Sequence, residues 1–223
     1  MHHHLKLLTI VFLFITLPLA NRVHAAEHTL GLDVGFYDGT GWHLHWETAN
    51  FAQGFTTAVR LGIGRSSMDP GNSADARRIF INNATNGVPE AHGSMWNYRL
   101  DLLFPVSIKS LTNTRLFVGP RYTKFKGNFK YIGGNEDFDV VSNHWGFGLG
   151  LESSFTISRK ISMRLGSGID YFKKTTLQGH DTSYSPDGVI VNQREDYTYE
   201  AADKAINQPG IELRLMAGFY YRF

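Results

Sequence analysis

The chain has 223 residues, of which 42% are hydrophobic, 13% aromatic and 19% charged, with 23 glycines, 7 prolines and no cysteine. That length suits one domain, and the lack of cysteine excludes a disulfide scaffold, a thiolate zinc site, a cysteine nucleophile and a lipid-anchored N-terminal Cys. A formal charge of +2 offers no concentrated basic surface of the kind nucleic acid demands.

Residues 1–25 have the layout of a secretory signal peptide. A leading segment holds Lys6 and three histidines, His2 to His4, and residues 7–20 are almost purely apolar. The polar stretch after them ends Val23-His24-Ala25, a small-residue cleavage pattern. The apolar run of 14 residues falls short of the roughly 20 needed to span a bilayer as a helix. Cleavage after Ala25 leaves 198 residues, with Lys6 and Arg22 removed and no acid lost. The mature chain then carries 20 basic and 20 acidic residues, so the pI of 8.8 belongs mostly to the discarded segment. No later stretch is long and apolar enough for a membrane helix.

The mature chain alternates apolar and polar residues eight times, as strands do. The first segment sets Leu30, Leu32, Val34 and Phe36 against Gly31, Asp33 and Gly35. The second sets Trp42, Leu44 and Trp46 against His43, His45 and Glu47. The third sets Phe55, Thr57, Val59, Leu61 and Ile63 against Thr56, Ala58, Arg60 and Gly62. The fourth runs from Trp96 to Phe104 against Asn97, Arg99, Asp101 and Leu103. The fifth sets Leu116, Val118, Pro120 and Tyr122 against Arg115, Phe117, Gly119 and Arg121, with Pro120 removing a ladder donor. The sixth runs from Trp145 to Phe155 against His144, Gly146, Gly148, Gly150 and Glu152. The seventh runs from Ile161 to Tyr171 against Arg164, Gly166, Gly168 and Asp170. The last sets Ile211, Leu213, Leu215, Ala217, Phe219, Tyr221 and Phe223 against Glu212, Arg214, Met216, Gly218, Tyr220 and Arg222.

Connections alternate in length. Short links at 49–54, 107–114 and 158–160 share one side. Long polar loops at 65–94, 124–143 and 173–210 share the other with the tight turn 38–41. Short turns on one side, long loops on the other and an even strand count are expected of an outer-membrane barrel. The expected fold is therefore all-β, an eight-stranded antiparallel up-and-down transmembrane β-barrel over 26–223, with both termini on the short-turn, periplasmic side.

The polar face decides against a water-soluble barrel. It mixes glycines with Asp33, Glu47, Asp101, Glu152, Asp170 and Glu212 and with Arg60, Arg99, Arg115, Arg121, Arg164, Arg214 and Arg222, and it holds no lysine. Arginines beside glycines suit a narrow lumen, where a long guanidinium needs space and a carboxylate partner. The opposite face is apolar, with Trp and Tyr near strand ends, as an apolar band with aromatic girdles requires.

The aromatic positions Phe219, Tyr221 and Phe223 at the end of the chain resemble the terminal-strand signature of bacterial outer-membrane proteins. The chain resembles the small eight-stranded outer-membrane barrels, the group that includes the OmpA membrane domain, OmpX and OmpW. The resemblance implies a barrel in the outer membrane of a Gram-negative bacterium. It also implies recognition of the C-terminal strand, ending in Phe223, by the barrel-assembly machinery, and contact with outer-membrane lipid and lipopolysaccharide.

An eight-stranded barrel encloses an interior that side chains can fill. The lumen charges are then a paired structural network or, alternatively, the lining of a narrow pore for ions or small solutes. Solvated charge is expected in the three long loops, whose role would be structural or directed to surface contacts. Catalytic candidates are Ser142 with His144, His43 and His45 with Glu47, and His180-Asp181. None matches a barrel-enzyme motif, so a lipid A-modifying enzyme is the remaining alternative. His43 and His45 could ligate metal, but two ligands alone make a weak site. No cofactor or metal is expected.

Overall fold

The computed structural model describes residues 26–51, 55, 57–109, 111–188, 192 and 194–223. The expected signal segment, its cleavage after Ala25, and Thr56 lie outside the described residues. The strands are β1 (Glu27–Tyr37), β2 (Thr40–Ala49), β3 (Ala58–Met68), β4 (Val88–Ile108), β5 (Leu111–Ile132), β6 (Asp137–Thr156), β7 (Ile161–Phe172), β8 (Leu177–Gln178), β9 (Ser183–Tyr184) and β10 (Ile211–Arg222). Two short helices are α1 (Ser73–Phe80) and α2 (Tyr199–Ala205).

Strands β1 to β7 and β10 pair antiparallel with their neighbours, and β10 returns to β1, closing a ring of eight. Closure matters because a sheet in lipid must satisfy every backbone donor and acceptor internally, and an open edge could not. No described helix is long and apolar enough to cross a membrane. Side chains alternate strictly across the wall. Leu32, Leu149 and Leu215 are about half exposed, while Asp33, Glu152 and Arg214 on the opposite face are buried. A water-soluble barrel would have the reverse.

Aromatic residues border the apolar band at both ends. On one rim Trp42 meets Trp96 with ring centroids 6.0 Å apart, and Tyr122 bridges Tyr98 at 6.0 Å and Trp145 at 4.9 Å. On the other rim His28 stacks between Trp46 and Phe223, and Tyr221 stacks on Phe223. At the β1–β2 turn both Asp38 and Gly39 have positive φ, which is why an Asp-Gly pair sits there.

Several expected boundaries move. The third strand begins at Ala58, not at Phe55. Strand β5 continues through Pro120: its pairing with β4 lapses between Arg99↔Arg121 and Leu102↔Val118 without losing register, and on the β6 side Pro120 faces Phe147. The link expected at 107–114 shrinks to residues 109–110 between β4 and β5. The expected loop at 124–143 is overturned. Residues 124–132 and 137–143 belong to β5 and β6, paired as far as Lys130↔Asp137, and only a turn at 133–136 joins them. The loop expected at 65–94 is confined to 69–87, because β3 reaches Met68 and β4 starts at Val88. The loop at 173–210 contains β8, β9 and α2.

With 20 to 22 residues each, β4, β5 and β6 are about twice as long as a membrane crossing needs. Beyond Trp96 and Trp145 the outward face carries Glu90, Lys124, Lys126, Lys130, Asp137 and Asp139, so this half stands clear of the apolar band. Its inward face is apolar: Met95, Phe125, Phe129, Phe138 and Val140 are buried. The two long loops fold onto that face. Ala76, Ile79 and Phe80 from α1, Tyr199, Ala202 and Ala205 from α2, and Leu177 and Tyr184 from the β8–β9 hairpin share one apolar cluster with it. Asn72 and Thr198 cap the two helices by accepting from Asp75 N and Ala201 N. Most of the loop charge stays exposed, as at Arg78, Lys126, His180 and Asp181, while Arg77 is buried. These loops form a folded cap over one mouth of the barrel, because their scattered apolar residues find partners on the overhanging strands.

Candidate functional site: the charged lumen

The alternation that turns Leu and Trp outward turns twelve charged residues inward. The structure buries Asp33, Glu47, Arg60, Arg99, Asp101, Arg121, Glu152, Arg164, Asp170, Glu212 and Arg214, and Arg115 is mostly buried beside them. Arg222 is not among them. Its side chain is exposed at the rim, 3.7 Å from Glu27, at the last ladder position of β10, opposite Thr29.

The charges group in two clusters. In the first, Glu47 and Glu152 are gripped by three arginines. Arg115 donates to Glu47 at 2.5 and 3.0 Å and to Glu152 at 2.5 and 3.1 Å. Arg60 donates to Glu152 at 2.6 Å and to Glu47 at 3.2 Å. Arg164 donates to Glu47 at 2.7 Å and approaches Glu152 at 3.7 Å. In the second, Asp101 takes Arg99 at 2.6 Å and Arg121 at 2.8 Å, while Asp170 takes Arg121 at 2.9 Å and Arg214 at 3.3 Å. Charge pairing of this density is what makes burial tolerable, since an isolated buried charge is very costly.

Three aromatic side chains on the inward face complete the packing. Phe117 lies between Arg214 at 4.7 Å and Arg99 at 5.3 Å. The Tyr220 ring packs on Arg164 at 3.7 Å, and its hydroxyl donates to Asp33 at 2.7 Å. Tyr37 sits 5.9 Å from Arg214. Periodicity places Phe117 and Tyr220 on the polar phase but gives them no role. Their signal was an aromatic residue breaking an otherwise small-and-charged face. Glycines supply the space: a Cβ on Gly148 would fall 1.8 Å from the Asp170 carboxylate and 2.5 Å from Arg121.

His45 meets Asp33 at 2.7 Å, and His43 packs edge-on against His45 at 5.7 Å. Among the described residues no group of three or more His, Asp or Glu could hold a metal ion. Ser142 and His144 do meet at 2.7 Å, with the other His144 nitrogen 3.0 Å from the Lys173 carbonyl, but both are sealed beneath the cap. His180 and Asp181 pair on the exposed surface of the cap. At the mouth, Glu212 accepts from Gly210 N at 2.8 Å. Burial holds the carboxyl of the neighbouring Asp38, in the β1–β2 turn, above its usual range. A cavity within the lumen network has a volume of about 20 Å³, room for one water-sized centre.

A ring of eight antiparallel strands with a charged interior, an apolar exterior and two aromatic rims defines an outer-membrane β-barrel protein, and the chain is one. No protein-family model matches it, and no curated protein matches it in sequence. It is similar in structure to a major outer membrane protein from Thermus thermophilus, with 25% sequence identity and a TM-score of 0.75 over 90% of this chain and 100% of that one. Acinetobacter baumannii CarO aligns at 12% identity and TM-score 0.44 over 92% of this chain and 100% of CarO. Ail, the attachment invasion locus protein of Yersinia pestis, aligns at 11% and 0.44 over 89% and 97%.

Proposed function

We propose that this is a non-enzymatic outer-membrane barrel that does not conduct, and whose role is structural and directed to the cell surface through its folded cap. The filled lumen carries this reading. Paired arginines and carboxylates leave a cavity of only about 20 Å³ among them, which supports a lumen packed by side chains rather than a solute path. The buried Ser142–His144 pair lacks access to a substrate, which speaks against catalysis there. In this reading the cap faces outward from a Gram-negative cell, and both termini face the periplasm. Arg65, Lys124 and Lys173 stand exposed at the rim near the aromatic belt, with Arg65 over the Trp96 ring at 5.6 Å, where they suit the phosphates of lipopolysaccharide. Phe223, exposed at the end of β10, is the handle for the barrel-assembly machinery.

The test is single-channel recording of the refolded protein in a planar bilayer, alongside lipid A mass spectra of cells that do and do not express it. Silence from a correctly inserted barrel, with unchanged lipid A, is expected. Discrete openings altered by Arg99→Gln or Glu152→Gln would overturn the reading in favour of a pore, and a lipid A mass shift would overturn it in favour of an enzyme.

A further inference from the structure

The lumen cavity is bordered by four guanidiniums, Arg60, Arg99, Arg164 and Arg214, but by only two carboxylates, Asp33 and Glu152. Across the whole lumen the six arginines are matched by six carboxylates, Asp33, Glu47, Asp101, Glu152, Asp170 and Glu212, so the imbalance is local to the cavity wall. Glu212 lies opposite Asp170 in the ladder and is bonded to Gly210 N. His45 holds Asp33 through one ring nitrogen, and neither His43 nor His45 borders the cavity.

The donors among these groups outnumber what the protein offers them. Six guanidinium nitrogens of the lumen (Nε of Arg60 and Arg164, one terminal nitrogen each of Arg99 and Arg121, and both of Arg214) have no hydrogen-bond partner in the protein, against three carboxylate oxygens, Asp33 Oδ1, Asp101 Oδ1 and Asp170 Oδ2. Arg214 is 3% exposed, and its contact with Asp170 at 3.3 Å lacks hydrogen-bond alignment. Buried polar groups are almost always satisfied, and a charged one left unsatisfied is especially costly. A water molecule would bring two hydrogens into a site already rich in donors. A monovalent anion brings acceptor capacity and a negative charge together.

We propose that the barrel lumen binds one small monovalent anion of halide size, held by Arg60, Arg164 and Arg214 and trapped as the barrel closes. It acts as a structural ion that accepts from the unpartnered guanidinium N–H groups at the cavity wall. The site does not depend on what the cap recognises.

The test is to refold the protein in bromide, crystallise it, and collect anomalous data at the bromine edge. In parallel, urea unfolding midpoints are measured in sodium chloride, sodium bromide and sodium gluconate at one ionic strength. An anomalous peak within hydrogen-bond reach of Arg214 is expected, as is a midpoint that rises saturably with either halide but not with gluconate, which is too large for the cavity. Arg214→Met should lose the halide dependence. Equal midpoints in all three salts, together with no anomalous peak in the lumen, would overturn the proposal. The wild-type measurements decide it even if Arg214→Met fails to fold.

Discussion

Glu47 ties the first lumen cluster together, since Arg60, Arg115 and Arg164 all reach it. Replacing it with Gln keeps the shape and removes the charge, leaving three guanidiniums to share Glu152. Removing one partner from a buried ion cluster costs about 3–5 kcal/mol, far more than an exposed pair is worth. We therefore expect Glu47→Gln to lower the unfolding free energy in lipid vesicles by that amount, and a loss below about 1 kcal/mol would show the cluster to be solvated. A second residue sets the acid response of the cap. Glu136, in the turn between β5 and β6, is held down to about 2 from its ordinary 4.5, chiefly by the hydrogen bond from Arg77, then by Asn82. Arg77 is buried, grips Glu136 at 2.6 Å and Asn86 at 2.7 Å, and lies 4.2 Å over the Tyr131 ring. Because the folded value is depressed, the pair stabilises the cap fully above pH 4.5 and loses that contribution as pH falls through about 2. Hydrogen exchange across 73–80 should rise over that window in the wild type, and Glu136→Gln should lack that component. Identical profiles would exclude Glu136 as the titrating group.

At the scale of the strand, the two faces make opposite demands on adjacent positions of β7. Leu165 points outward and is nearly half exposed, while Arg164 is buried in the lumen. Leu165→Arg should cost about 2–4 kcal/mol at the bilayer midplane, because the charge must enter hydrocarbon. Its effect should shrink if the protein is held in detergent, where water reaches the wall more easily. A neutral Leu165→Arg in vesicles would put the phase of β7 in error. That phase was legible in the sequence because a two-residue period needs no long-range knowledge: Leu, Ile and Trp on one side and Gly, Arg and Asp on the other leave one choice per strand. The lumen residues follow from it directly. Strand ends were harder to read. Beyond Trp96 and Trp145 the outward residues turn polar, and a polar run such as Lys124 to Lys130 resembles a loop when lipid is the assumed partner. The inward residues Phe125, Phe129, Phe138 and Val140 still alternate there. They were the sign that the strands continue in water, packed on something. What they pack on, α1 and α2, is set by contacts from residues 73–80 and 199–205, far apart in sequence, which periodicity does not encode.

The whole molecule thus joins two bodies held by different physics. The barrel is fixed by a closed ladder of backbone hydrogen bonds, a paired ion network and the surrounding lipid. The cap is fixed by an apolar cluster of ordinary kind, each large side chain in it contributing on the order of 1.5–3 kcal/mol on burial. It shares three strands with the barrel, but the remainder is two short helices and a hairpin of two-residue strands, elements with few backbone bonds of their own. Urea weakens apolar burial and solvates peptide groups, and it acts first where water already surrounds the element. The protein should therefore unfold in two stages in lipid vesicles. Hydrogen exchange at 73–80 and 199–205 should appear at low urea, while 30–36, 147–151 and 213–219 stay protected until the barrel opens. Phe80→Ala, which empties a buried position in the cap, should bring the first stage forward by roughly 3–5 kcal/mol and leave the second in place. If both stages moved together, the cap and barrel would be one cooperative unit. The overhanging strands β4 to β6 would then be transmitting cap stability into the membrane-embedded wall.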